Sequence, residues 1–69
     1  MVNNMKGIYY ILNYIDERRT NISGYFLTED EAREGLKKCS NWFRPNGTGE
    51  IWFQEFGVKG KRTLIFENF

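Results

Sequence analysis

The sequence has no histidine and only one cysteine, Cys39. Without an imidazole, neither a Ser-His-Asp triad nor a Cys-His pair can be built. The usual His and Cys sets that hold zinc are equally out of reach. A lone thiol closes no internal disulfide, so the chain is not a stapled secreted mini-protein. A membrane-spanning helix needs about 20 apolar residues. The longest uncharged, apolar-rich stretch here is Ile8 to Ile15. The first six residues lack the apolar core of a signal peptide, and the default expectation is a cytoplasmic location. On that footing the two Asn-x-Ser/Thr matches, at Asn21 and Asn46, are not taken as glycan sites.

Charge of one sign is also missing. Ten Lys or Arg stand against nine Asp or Glu, a formal net charge of +1. Such a chain has no global field to steer it toward nucleic acid or anionic lipid, and no membrane partner is expected. The charge is unevenly spread, however. Residues 1–36 carry four basic and six acidic side chains, net −2, and residues 37–69 carry six and three, net +3. At 69 residues there is chain for one small domain, which buries only about 60% of its unfolded surface. A deep active site or cofactor cradle would take too much of that core. No catalytic, cofactor-binding or metal-binding residues are assigned. Residues 1–6 are expected to be a flexible lead-in and 7–69 a single α+β domain, with Met1 and Met5 both eligible as the start.

Aromatic residues, by contrast, are plentiful at 17%. Residues 7–15, Gly-Ile-Tyr-Tyr-Ile-Leu-Asn-Tyr-Ile, are rich in β-branched and aromatic side chains and predict a strand. The polar run 16–21 suits a hairpin loop, and Ile22 to Leu27 predicts the returning strand. Gly24 inside it marks a bulge or a close backbone approach. Next, Thr28 and Glu31 have the spacing of a capping box, and Leu27 and Ala32 that of a hydrophobic staple. Glu29, Asp30 and Glu31 complement the positive end of a helix dipole and are read as a solvated first turn. Ala32, Gly35, Leu36, Cys39 and Phe43 share one helical arc, which extends the expected helix to the Arg44-Pro45 break. Residues 50–56 and 62–66 predict the third and fourth strands. The expected architecture is α+β: a four-stranded, mostly antiparallel sheet with one helix on one face, in the order β-β-α-β-β.

Local chemistry adds little. Gly47-Thr48-Gly49 lacks the Gly-Lys-Ser/Thr ending of a phosphate loop and precedes a strand. Glu50 and Glu55 are five apart on a strand, which sends them to opposite faces and, unless a bulge intervenes, prevents a catalytic pair. Cys39 lies on the apolar helix arc, where a thiol is inert core.

The run Gly24-Tyr25-Phe26-Leu27-Thr28-Glu29-Asp30-Glu31-Ala32 resembles small uncharacterised domains encoded in bacterial and phage genomes. There a hairpin ends in an aromatic residue, Ser or Thr follows, and an acidic helix start with Ala comes next. The resemblance implies the same β-β-α-β-β order and no established activity. By analogy of class, small phage and mobile-element proteins act by occluding a host protein. The same run is similar to the N-terminal hybrid-binding domain of some ribonucleases H. In that pattern a Trp stands where this chain has Glu29, and its basic residues before the Gly are not closely matched here.

One helix covers one face of a four-stranded sheet, yet both phases of the strands are apolar. An uncovered apolar face is a binding surface, unless sheet twist and loops close over it. The reading is a non-enzymatic protein-binding module, homodimeric or bound to a host protein. Its candidate interface residues are Tyr9, Ile11, Trp52 and Phe56, while Tyr10, Tyr14 and Phe53 are eligible if the other phase faces out. The alternative is a nucleic-acid binder that uses Arg18, Arg19, Lys59, Lys61 and Arg62 beside exposed aromatics, Trp42 among them. Glu50 and Glu55 within the aromatic third strand, and the small basic excess, weigh against it.

Overall fold

A computed structural model of the chain describes residues 6–41, 43–57 and 59–68. The elements are β1 (Gly7–Tyr14), β2 (Thr20–Phe26), α1 (Glu29–Lys37), β3 (Gly49–Glu55) and β4 (Arg62–Asn68). All three ladders are antiparallel, and the strands lie side by side as β2-β1-β3-β4. The expected α+β architecture and element order are those of the molecule. The lead-in over 1–6 falls, apart from Lys6, outside the described residues, as does Trp42. The carbonyl of Lys6 accepts a hydrogen bond from Phe56 N at 2.8 Å.

The strand apolar in both phases, β1, and its neighbour β3 take the centre of the sheet, where each is paired along both edges. Ile11 and Ile51 stand directly across from each other and are the largest fully buried side chains. Ala32 and Leu36 of α1 close over them, with Tyr9, Phe26, Cys39, Ile65 and Phe66 around the cluster. Both edge strands are bulged. In β2 the irregularity falls opposite the stretch from Tyr10 to Leu12 and contains Gly24, whose φ of 149° is one that side chains rarely adopt. In β4 it falls at Ile65, between the Ile51–Phe66 and Trp52–Leu64 pairs. Such bulges twist an edge away from further strand pairing.

At the start of α1, Thr28 is the N-cap and its hydroxyl accepts from Glu31 N at 3.2 Å. The Glu31 carboxylate receives the Thr28 hydroxyl proton at 3.0 Å, so the box closes side chain to side chain. The expected staple does not form, since Leu27 is exposed while Ala32 is fully buried. The helix is also shorter than its apolar arc predicts: it stops at Lys37, and Phe43 is exposed. Asparagines supply the reason by offering the backbone other partners. Asn41 Oδ1 accepts from Tyr14 N, its Nδ2 donates to Thr48 O, and its own N–H reaches Asn46 Oδ1. These bonds tie the segment after α1 to the end of β1 and the start of β3.

Candidate functional site

Register decides which side chains share a face, because directly opposed residues point the same way. Tyr9 pairs with Phe26 and Phe53, and Ile11 with Ile51, so these belong to the helix-covered face. Tyr10 pairs with Tyr25 and Trp52, and Trp52 with Leu64, which form the middle row of the other face. One row toward the end of β1 stand Ile22, Leu12, Glu50 and Glu67, and one row toward its beginning stand Ile8, Gln54 and Arg62. No helix lies over these three rows among the described residues.

The four candidate interface residues are therefore not one surface. Ile11 has no exposure and is withdrawn as a contact residue, because α1 seals it into the core. Tyr9 packs beside it, with its ring 4.8 Å from that of Phe53. Trp52 lies on the open face, and Phe56 follows the end of β3, 55% exposed. Tyr10 and Tyr14, eligible in the other phase, join Trp52. Of the open-face side chains, Tyr25 is 60% exposed, Ile22 42% and Leu64 41%. Tyr10 is buried, with the Tyr25 ring centroid 6.1 Å from its own. Tyr10, Leu12, Ile22, Tyr25 and Trp52 line a shallow groove of about 360 Å³ that ends at Gln54 and Arg62.

Polar groups fix the orientation of this face. Glu50 accepts from Tyr14 Oη at 2.9 Å and from Trp52 Nε1 at 2.8 Å, which holds the indole along the sheet. Partial burial first, then the Glu50 carboxylate, pushes the Tyr14 phenol above its ordinary value, while Arg44, stacked 5.0 Å from the ring, acts the other way. Glu67 stands directly across from Glu50. Like charges opposed in this way destabilise a sheet, and none of the ion pairs among the described residues involves either carboxylate. At the far corner Arg62 Nε donates to Gln54 Oε1 at 2.8 Å. The Glu50–Glu67 pairing was not legible in the sequence, since it depends on register across the β4 bulge. Glu50 and Glu55 do fall on opposite faces.

The five candidate nucleic-acid contacts are split. Arg18 and Arg19 lie in the β1–β2 loop, and Asp16 Oδ1 accepts from the backbone N–H of both. Asp16 Oδ2 also binds Arg19 Nε at 2.7 Å. Lys59, Lys61 and Arg62 lie at the β3–β4 connection, at the opposite end of the sheet because Gly7 pairs with Glu55. A seven-residue strand spans about 23 Å, so the two basic groups do not form one patch. Cys39 is half-buried, and burial pushes its thiol up, against a hydrogen bond with Ser23, as suits a packing residue. Among the described residues no three Asp, Glu, Cys or His side chains converge on a common point, and no helix is long and apolar enough to cross a membrane. No known protein family, curated protein or solved structure matches the chain.

Proposed function

We propose that the chain is a non-enzymatic protein-association module whose contact surface is the sheet face opposite α1. One observation carries this reading: Tyr25, Tyr10, Trp52 and Leu64 form a continuous aromatic and aliphatic row across all four strands on a face without a helix. Aromatic side chains set in such a row are the usual anchors of protein interfaces, and carboxylates and guanidinium at the margin give a polar rim.

The test compares the two faces of the molecule. A photo-reactive side chain at Leu64 yields a protein adduct, and one at Glu34, on the solvent side of α1, does not. Trp52→Glu abolishes the Leu64 adduct while the far-ultraviolet circular dichroism is unchanged. Equal yields from both positions, or an adduct that survives Trp52→Glu, would overturn the proposal.

A further inference from the structure

Resting on the open-face reading above, we infer that the occupant of this face is a second copy of the chain, seated with its strands antiparallel to those of the first. The order of the rows carries the inference. Along β3 and β4, Glu50 and Glu67 stand at one end, Trp52 and Leu64 in the middle, and Gln54 and Arg62 at the other end. A two-fold axis along the middle row, at right angles to the strands, places each strand over its own counterpart and exchanges the outer rows. Arg62 of the second copy then stands over Glu67, Gln54 over Glu50, and Ile8 over Leu12, and symmetry repeats each contact. Cation meets anion, amide meets carboxylate, and aliphatic meets aliphatic, while the aromatic middle row packs on itself.

The other face-to-face axis, along the strands, fails on the same grid. It lays β4 over β2 and β3 over β1, which sets Glu67 against Ile22 and Glu50 against Leu12. Carboxylates would then be set against aliphatic side chains instead of against the guanidinium and amide of the other end, which is unfavourable for an ion leaving water. The antiparallel arrangement also brings a cation to the opposed Glu50 and Glu67, neither of which takes part in the ion pairs among the described residues. Packed sheets cross at about 30°, which shifts the outer rows by about one strand spacing, within the span of an arginine side chain. The face measures about 19 Å across four strands and about 23 Å along them. That is small for a stable interface, so a weak, concentration-dependent dimer is expected.

Sedimentation of the full chain across micromolar concentrations tests the arrangement through charge reversal. Arg62 and Glu67 are both exposed; Arg62→Glu gives up only the exposed bond to Gln54, and an unchanged far-ultraviolet circular dichroism spectrum of each variant checks that the fold is kept. Arg62→Glu and Glu67→Arg each weaken self-association by about tenfold or more, because each reversal acts twice in a symmetric dimer. An equimolar mixture of the two variants recovers the wild-type dimer mass, since every 62–67 contact in the mixed dimer is again between opposite charges. A wild-type chain that stays monomeric overturns the second-copy inference and leaves the Leu64 photo-adduct as the judge of the open-face reading. A dimer indifferent to both reversals, or variants that stay monomeric on mixing, overturns the antiparallel seating. A Trp52→Glu chain that remains dimeric overturns both readings.

Discussion

The ring of Phe26 lies against Gly35 so closely that a Cβ on Gly35 would stand 2.5 Å from Phe26 Cζ and 3.2 Å from Ile11 Cδ1. A glycine inside a nine-residue helix is unfavourable by about 1 kcal/mol relative to alanine. Its presence here is explained by what the missing methyl would strike. Gly35→Ala is expected to lower stability by about 1 kcal/mol net, since overpacking of about 1–3 kcal/mol exceeds the propensity gain. In a Phe26→Ala background the sign reverses and Gly35→Ala stabilises. Urea unfolding of the four chains in the cycle measures this; the same sign in both backgrounds would show that the ring is not the cause.

The cap and the absent staple give a second contrast. Thr28→Ala removes the acceptor for Glu31 N and the donor to the Glu31 carboxylate, and is expected to cost about 1 kcal/mol. Thr28→Ser retains both bonds and most of the stability. Leu27→Ala, at an exposed position, changes stability by less than about 0.5 kcal/mol. A Leu27→Ala loss as large as that of Thr28→Ala would mean that the staple forms in solution.

The element order was legible because its signals are local. The capping box starts α1 at one residue, Gly24 marks the β2 bulge, and Pro45 with the two glycines after it separates α1 from β3. Two things were not legible. The helix arc continues through Cys39 to Phe43, and only the bonds of Asn41 to Tyr14 and Thr48, 27 and seven residues away, show why the helix stops early. The choice of face stayed open because in β1 the Tyr9-Ile11 phase and the Tyr10-Leu12 phase are about equally apolar. A usable signal lay in β3, where Trp52 alternates with polar Glu50 and Gln54, whereas Ile51 alternates with apolar Phe53. Carrying that phase across the ladder assigns Trp52 to the open face and Ile11 to the core.

Alkaline titration tests the anchoring of the open face. The native Tyr14 phenol has a raised pKa, so between the ordinary value of about 10 and the native one the folded chain holds a proton that the unfolded chain releases. The sign follows: this contribution to stability is fully present below the unfolded value and is lost as pH rises through the native value. Tyrosinate absorbance of the four tyrosines is expected to show a component above the ordinary range that is missing in Tyr14→Phe. The fall in stability above about pH 10 should be shallower in that variant. An unchanged high-pH component in Tyr14→Phe would assign it to another tyrosine.

Salt separates apolar association from phosphate binding. A complex held by several phosphate contacts weakens by orders of magnitude between about 50 and 200 mM salt. The two basic groups lie at opposite ends of the sheet, and Arg19 is already paired with Asp16. A short single-stranded oligonucleotide can therefore engage only one group at a time, with a shallow salt slope. Arg18→Ala and Lys61→Ala should each leave oligonucleotide binding within about twofold of wild type at 150 mM salt, as read by fluorescence anisotropy. Self-association should vary much less over the same range, because its middle row is apolar and its charges, Glu50, Glu67 and Arg62, are few and confined to the outer rows. A steep slope for the oligonucleotide, abolished by either single substitution, would require the two ends to be bridged by one strand and would favour the nucleic-acid reading.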